Sequence, residues 1–211
     1  MQLILNEIIL ASSSKHRQKV LSATGLKFRA IASEVDESEI RARSGKDLAL
    51  ARAEAKALDV LKKTPRALVI GADQTLTFND EIFGKVNSKE EAIERLKTFQ
   101  GKIHKLHSAV VLCANVDGGV FKDRFCTDVE MDMRFLTDEE IEAYVDNGEW
   151  QGCVGCYQAE NTGSLLFSQI GGDNSAVIGL PICELNTKLL CIGINLIESP
   201  SGPWTALVPG H

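Results

Sequence analysis

A run of three serines that leads into basic residues is the first place where the sequence could do chemistry. Residues 12–17 read SSSKHR and follow the apolar stretch IILA. A helix that begins here would present free backbone N–H groups and partial positive charge, so cations in its first turn are unfavourable unless an anion joins them. The hydroxyls of Ser12 and Ser14 and the guanidinium of Arg17 suit a phosphate group. A serine-capped helix with solvated basic side chains would also fit these residues.

Two acidic positions could act beside such a phosphate. Asp73 follows the apolar run ALVIGA, which predicts a strand that breaks at Gly71 and presents an acid at its end. A carboxylate in that place can hold a divalent ion or act as a base toward water, although it can also cap a turn. Glu37 belongs to the acidic stretch EVDESEI and could supply a second metal ligand, although an acidic loop by itself is usually solvated.

Two lysines complete the candidate set. Lys56 lies in an alanine-rich helical pattern, and Lys85 follows Gly84 after a hairpin-like stretch. Each lysine alone is typical of a solvated surface. Only a joint pattern gives either of them a functional interpretation.

Strand and helix patterns alternate along the chain and must position these residues. Capping boxes predict helix starts at Ser88 and Thr137, and DGG between two long segments predicts a hairpin. The segments KFRAIAS and AVIGL are predicted strands, and PICELNTKLLCIG is a predicted helix. We therefore expect an α/β protein with a mixed sheet in two lobes. A single domain is expected over residues 1–197, followed by a loosely held, proline-rich tail over residues 198–211.

Composition and charge exclude several classes of partner. The 211-residue chain has a formal net charge of −6, which argues against a nucleic acid polymer because that binding needs clustered Lys and Arg. The sequence has no signal-peptide pattern and no apolar run long enough to cross a membrane, so we expect a soluble cytoplasmic protein with no membrane partner.

The six cysteines include the pair Cys153 and Cys156 in the motif CVGC. This motif could be half of a zinc site or a redox pair, but no second pair has matching spacing. We expect unbridged thiols in a reducing compartment.

Taken in order, the motifs resemble those of the Maf family of nucleoside triphosphate pyrophosphatases. The matching series is LASSSKHR, EVDE, GADQT, GK, GKIHKLHSAVVL, MRFLTDEEIEAYV and GLPICEL. The resemblance implies a fold akin to the inosine triphosphate pyrophosphatases, which is α/β with a long mixed β-sheet, flanking helices and a cleft between two lobes. It also implies cleavage between the α- and β-phosphates of a nucleotide, with Mg²⁺ or Mn²⁺, as house-cleaning of the nucleotide pool. A homodimer is what the family suggests.

The same resemblance implies a role for each matching residue. Asp73 matches the catalytic acid of the family, and Glu37 matches its acidic metal-site residue, so both are expected near the metal. The expected phosphate-binding residues are Ser12, Ser14, Arg17, Lys56 and Lys85.

Three further residues resemble the part of the family associated with 7-methyl-GTP. Gln74 follows the catalytic acid, Glu160 stands in VGCYQAEN where many members have glutamine, and His16 aligns with an aromatic residue. A carboxylate can accept hydrogen bonds from N1–H and N2–H of guanine, and it favours the positive charge of a 7-methylated ring. His16 could stack on the base. A guanine-type substrate is therefore expected, although Glu160 could also be a solvated loop acid.

Three other functions stay open from the sequence. The chain could be a pyrimidine (dTTP or UTP) pyrophosphatase, a nucleotide-binding regulator of cell division or septum formation, or a hydrolase of other phosphate esters. The presence of every proposed catalytic group favours an enzyme over a protein that only binds nucleotide.

Overall fold

The computed structural model describes residues 2–208, which form one large mixed sheet with helices packed on it. The strands are β1 Gln2–Leu5, β2 Glu7–Ala11, β3 Arg29–Ala30, β4 Ala67–Phe78, β5 Glu81–Phe83, β6 Ile103–Val116, β7 Gly119–Met133, β8 Phe167–Gly171 and β9 Trp204–Leu207. The helices are α1 Lys15–Ser22, α2 Gly45–Lys63, α3 Lys89–Phe99, α4 Asp138–Asp146, α5 Asn174–Val177 and α6 Ile182–Cys191. Short 3₁₀ turns occupy Glu37–Glu39 and Thr162–Leu166.

The large sheet has the strand order β3-β2-β4-β6-β7-β8, and β5 pairs with β4. Strand β2 runs parallel to β3 and β4, whereas the other neighbouring strands are antiparallel. The first half of β4 is buried on both faces, as a strand covered by helices on both sides must be. The predicted α/β fold with a long mixed sheet and flanking helices is confirmed.

Local signals set most element boundaries. The hydroxyls of Ser14, Ser88 and Thr137 cap α1, α3 and α4, and the Thr137 cap is a reciprocal capping box with Glu140. The β6–β7 hairpin turns at Gly118, whose φ of 85° suits glycine. These contacts involve neighbours in the chain, which is why the sequence predicts them.

Three buried apolar clusters divide the molecule into two lobes. One cluster, which includes Leu21 and Leu185, lies between the sheet and α1 and α6. A second lies on the other face of the sheet under α2 and includes Ala53. The third, which includes Phe99 and Ile141, joins α3 and α4 to the beginning of β6 and the end of β7. The first two clusters form one lobe and the third forms the other.

Strand β4 corrects the prediction that the strand breaks at Gly71 and ends at an acid. It continues through Asp73 to Phe78, because β6 pairs with it from Val69 to Thr77. On its other side β2 ends at Ala11, in register with Gly71. Asp73 is therefore a mid-strand residue just beyond the point where one neighbouring strand leaves the sheet.

Two predicted strands are largely wrong. Only Arg29–Ala30 of KFRAIAS pairs as a strand, and AVIGL contains the end of helix α5, capped by the side chain of Asp173. Short apolar runs do not separate strand from buried helix by periodicity, so the tertiary context decides.

The tail is also held more firmly than predicted, as far as the structure describes it. Strand β9 pairs antiparallel with β1, and Trp204, Ala206 and Val208 are buried in the first cluster. Apolar residues at alternate positions give this strand one buried face. The last residues of the predicted tail, 209–211, lie outside the described residues. Within residues 2–208, no helix has both the length and the apolar character that a membrane crossing requires.

Candidate active site

A cavity of about 810 Å³ opens between the two lobes. Ala11 of the second cluster and Leu106 and Tyr157 of the third contribute to its wall. Every residue that the sequence places in the site lines this cavity. They are Ser12, Ser14, His16, Arg17, Glu37, Lys56, Asp73, Gln74, Lys85 and Glu160. Residues from distant parts of the chain therefore share one space of the size that small-molecule ligands occupy.

Lys56 joins two carboxylates on the α2 side of the cavity. Its Nζ lies 2.6 Å from Asp73 Oδ1 and 2.8 Å from Glu37 Oε1. The side chains of Lys56 and Asp73 are 8% and 7% exposed, so their ion pair is buried. Burial raises the pKa of Glu37, but the hydrogen bond and charge of Lys56, aided by Arg52 and Lys85, outweigh burial and lower that pKa below its ordinary value.

Close packing of α2 on β4 places this group. A Cβ atom at Gly71 would lie 2.1 Å from the carbonyl oxygen of Ala53, so only glycine lets the helix approach the strand this closely. Asp73 projects from the same face of β4 as Gly71, since side chains alternate along a strand. Lys56 lies one helical turn after Ala53 on the face that meets the strand. The glycine in IGAD thus brings Lys56 to Asp73.

The second oxygen of the Asp73 carboxylate, Oδ2, is buried and has no hydrogen-bond partner among residues 2–208. A buried charged oxygen without a partner is costly, so this atom suits a water or cation that arrives with a ligand. Mg²⁺ is commonly held by one or two carboxylates together with water and substrate phosphates. Asp73 and Glu37 fit that donor set.

A metal cage built from protein alone is not present in the described part of the chain. No group of three or more His, Cys, Asp or Glu side chains there could hold an ion by itself. An ion at Asp73 and Glu37 would therefore need phosphate oxygens or water to complete its coordination.

The serines of the first motif shape the entry of α1. Ser14 Oγ accepts a hydrogen bond from the Arg17 backbone N–H at 3.4 Å, and Ser14 N–H donates to Ser12 Oγ at 3.2 Å. Because β2 ends beside Gly71, the chain enters this helix next to Asp73. The Ser14 hydroxyl therefore caps α1, and both serines also line the cavity.

Arg17 is held by two backbone carbonyls, one on β4 and one in the turn that follows α5. Its Nε donates to Gly179 O at 2.9 Å, and its Nη1 donates to Ala72 O at 3.3 Å. Burial lowers the pKa of this guanidinium, while the negative charges of Asp73 and Glu37 oppose the effect. The two carbonyl contacts orient the planar group toward the cavity beside Asp73.

Lys85 reaches the cavity from the segment that follows β5. The preceding carbonyl, Gly84 O, accepts a hydrogen bond from Arg95 Nη1 at 2.9 Å, and the same nitrogen donates to Val154 O at 2.8 Å. Arg95 thereby ties the Lys85 segment to the loop on the other wall. Lys85 itself is exposed, and no residue among 2–208 pairs with its ammonium group.

His16 and Glu160 meet at a second end of the cavity. His16 Nδ1 lies 2.7 Å from Glu160 Oε1, and the two side chains are 43% and 24% exposed. The contact uses one carboxylate oxygen of Glu160. The other oxygen, and the remaining lone pairs of the first, can still accept hydrogen bonds.

Gln74 lines the cavity but directs its amide nitrogen into the protein. Nε2 lies 2.9 Å from Ser108 Oγ and 3.0 Å from both Ala176 O and Val177 O. These contacts join β4 to α5 on the sheet face opposite Asp73. Any contact with a base would therefore come from the carbonyl oxygen of Gln74, and its role in base specificity stays a prediction.

Arg52 also lines the cavity, although no motif in the sequence indicates it. Arg52 precedes Lys56 by four residues on α2, so the two cations lie on one helix face. The spacing in RAEAK was the signal that could have indicated it. An arginine on a helix is usually solvated, however, and the spacing alone does not identify a site.

The cysteine prediction is confirmed in that all six thiols are free. Cys153 lines the cavity, and Cys156 is buried in the third cluster. Burial raises the pKa of both thiols to about 11, which keeps them protonated and poor metal ligands.

Comparison with known proteins gives one matching family and several similar proteins. The family described as Maf-like protein matches residues 7–191. A 7-methyl-GTP pyrophosphatase of Bartonella quintana (strain Toulouse) is 39% identical over 198 residues, which cover 91% of this chain and 98% of the relative. A nucleoside triphosphate pyrophosphatase of Rhodopseudomonas palustris (strain BisB18) is 39% identical over 184 residues, which cover 84% of this chain and 90% of the relative. Among solved structures, a HAM1 protein from Coxiella burnetii superimposes with a TM-score of 0.46 at 15% identity, covering 87% of this chain and 98% of that chain.

Proposed function

Because the chain belongs to the family of Maf-like proteins, we propose that it hydrolyses a nucleoside triphosphate to the monophosphate and pyrophosphate. The relatives described above are named for this class of reaction. One observation on this chain carries the proposal. Asp73, whose buried Oδ2 has no hydrogen-bond partner among residues 2–208, shares a cavity with Arg17 of α1, Lys56 of α2 and Lys85 of the segment after β5.

The cations of the cavity suit a polyphosphate. A nucleoside triphosphate brings about four negative charges near neutral pH, and preorganised cations and N–H groups stabilise such charge best in a site shielded from water. Arg17 offers a planar fork for paired hydrogen bonds, whereas Lys85 offers a mobile point charge. Lys56 holds Asp73 in place while its own charge is shared with Glu37.

Asp73 is the proposed catalytic residue. Its Oδ2 atom is free to orient a water molecule or to accept its proton as water adds across the α–β anhydride. A Mg²⁺ or Mn²⁺ ion held by Asp73 and Glu37 together with phosphate oxygens would neutralise phosphate charge and make a bound water more acidic. Because positioning and electrostatics dominate phosphoryl transfer, the site needs no covalent nucleophile.

We propose a guanine-type base, and 7-methyl-GTP in particular, for the end of the cavity at His16 and Glu160. The Glu160 carboxylate can accept hydrogen bonds from N1–H and N2–H of guanine, and its negative charge favours the positive ring that 7-methylation produces. Uracil and thymine present one N–H between two acceptors and suit an amide better. Glu160 therefore supports a guanine-type substrate over a pyrimidine.

A cytoplasmic location is part of the proposal. The six free thiols suit a reducing compartment, where disulfides are rare. Nucleotide house-cleaning would place the enzyme in the same compartment as the nucleotide pool.

A substrate screen tests the proposed function. Purified protein is incubated with Mg²⁺ or Mn²⁺ and a panel of canonical and methylated nucleoside triphosphates, and pyrophosphate and orthophosphate are assayed separately. We expect metal-dependent release of pyrophosphate, fastest with a guanine-type substrate. Release of orthophosphate alone would indicate another phosphohydrolase, and nucleotide binding by calorimetry without hydrolysis of any substrate would indicate a regulatory binding protein.

A further inference from the structure

Arg52 is a cation of the cavity to which the mechanism above gives no role. Leu48, Arg52 and Lys56 follow one another at four-residue spacing on α2, and all three line the cavity. Residues at this spacing form one stripe on a helix. The stripe of α2 that faces the cavity therefore carries two cations, of which Lys56 is the deeper.

Arg52 lies close to the proposed phosphate site because it lines the cavity one helical turn before Lys56. Lys85 lines the same cavity from the segment that follows β5.

Arg52 is half-buried, and it differs from Lys56 and Arg17 because no residue among 2–208 accepts a hydrogen bond from its buried Nε. No residue in that range forms an ion pair with its guanidinium. By contrast, Lys56 contacts two carboxylates and Arg17 donates to two carbonyls. A buried N–H of a charged group without an acceptor is costly, so a missing acceptor at a cavity wall points to a ligand.

The arrangement of the cavity indicates which part of a nucleotide would reach Arg52. His16 on α1 and Glu160 form the proposed base end, whereas Asp73 lies on the central strand between α1 and α2. A nucleotide with its base at Glu160 and its α-phosphate beside Asp73 and Arg17 would extend its remaining phosphates toward α2.

Building on the proposed function, we infer that Arg52 is a further substrate-binding residue that, with Lys85, holds the β- and γ-phosphates. Its guanidinium can donate two parallel hydrogen bonds to phosphate oxygens, and its Nε–H would gain the acceptor that the protein does not provide. These two phosphates leave as pyrophosphate, so Arg52 would bind the leaving group in substrate and product alike.

Calorimetric binding of inorganic pyrophosphate, measured with Mg²⁺ present, tests this inference without requiring turnover. The variants are Arg52→Met, which removes the charge, and Arg52→Lys, which retains it. The control Lys62→Met removes one positive charge from an exposed position of the same helix, outside the cavity. A nucleoside monophosphate serves as the second ligand because it lacks the β- and γ-phosphates, and thermal unfolding checks that each variant is folded.

We expect Arg52→Met to weaken pyrophosphate binding by roughly 10- to 100-fold, as for loss of a charge-assisted hydrogen bond, and to leave monophosphate binding unchanged. Arg52→Lys should recover part of the affinity, and Lys62→Met should bind like the parent protein. Equal weakening of both ligands would mean a structural role for Arg52. Unchanged pyrophosphate affinity in Arg52→Met, or no pyrophosphate binding by the parent protein, would overturn the inference. Absence of triphosphate hydrolysis would instead contradict the proposed function, whatever the pyrophosphate affinities.

Discussion

The two ends of the cavity are built in different ways. At the phosphate end, Lys56 lies on the long helix α2 and Asp73 on the central strand β4. Both side chains are almost fully buried, and Lys56 Nζ lies 2.6 Å from Asp73 Oδ1. At the base end, His16 and Glu160 are 43% and 24% exposed, and Glu160 lies in a segment without regular helix or strand structure.

We infer from this difference that the phosphate end serves turnover and that the base end serves the choice of base. A triphosphate is common to every nucleotide substrate, so its site can be built on rigid elements whose geometry does not vary. A base differs between substrates, and exposed loop residues can change to suit it without disturbing the sheet. Substitutions at the phosphate end should therefore affect both folding and catalysis, whereas those at the base end should mainly affect preference.

The largest effect is expected at Asp73. Asp73→Asn keeps the size of the side chain and one oxygen for Lys56, but it removes the charge that orients or deprotonates water. We expect kcat for pyrophosphate release to fall by about 10²- to 10⁴-fold, the range for loss of a general base. Asp117→Asn, an exposed position in the β6–β7 turn, is the matched control. Full activity of Asp73→Asn would remove this residue from its proposed role.

Lys56→Met tests whether the phosphate end also supports the fold. The variant leaves the buried Asp73 carboxylate without its cation, so we expect the free energy of unfolding in urea to fall by about 3–5 kcal/mol. The double variant Lys56→Met, Asp73→Leu removes both charges and should regain much of that stability but no activity. If Lys56→Met unfolds at the same urea concentration as the parent protein, the ion pair does not have the buried character assigned to it.

A substitution at His104 tests how the loop that carries Tyr157 and Glu160 is anchored. His104 Nε2 lies 2.7 Å from the hydroxyl of Tyr157, and the ring stacks on Phe99. Desolvation by burial lowers the pKa of His104 from 6.5 to about 3. Below about pH 6.5 the unfolded chain therefore binds a proton that the folded protein does not bind. The free energy of unfolding should decrease as the pH is lowered, by up to about 1.4 kcal/mol per pH unit.

The measurement is urea unfolding of parent protein and His104→Gln at several pH values between about 7 and 4. The variant cannot bind this proton, so its stability should fall less steeply over that window. Parallel pH dependence of the two proteins would show that His104 is not held neutral in the folded state.

The smallest effect on stability is expected at the base end. Glu160→Gln should change the free energy of unfolding by less than about 1 kcal/mol, since its ion pair with His16 is partly exposed. We expect the ratio of kcat/KM for a guanine-type over a pyrimidine triphosphate to fall by about tenfold, as for one lost charge-assisted hydrogen bond. An unchanged ratio would discredit Glu160 as the base-reading residue.

Sequence reasoning succeeded where neighbours in the chain carry the signal. The caps at Ser14 and Thr137 and the hairpin turn at Gly118 depend on residues within a few positions. The ordered motifs also indicated the residues that line the cavity, although no single motif did so alone.

Sequence reasoning failed where distant residues decide the outcome. Gly71 looked like a strand break, but it is the point where α2 packs directly on β4. Trp204 looked like part of a loose tail, but β9 finds its partner in β1 at the opposite end of the chain. No motif indicated Arg52, and only the fold shows that it lines the cavity with its Nε buried. None of these contacts leaves a local pattern.

The identity of the products shows whether the cavity positions Asp73 to cleave a triphosphate between its α- and β-phosphates. The products formed from the preferred triphosphate by parent protein and by Asp73→Asn would be followed by phosphorus NMR. We expect equal amounts of nucleoside monophosphate and pyrophosphate from the parent protein, and almost no product from Asp73→Asn. Formation of nucleoside diphosphate and orthophosphate, or the same products at the same rate from both proteins, would contradict it.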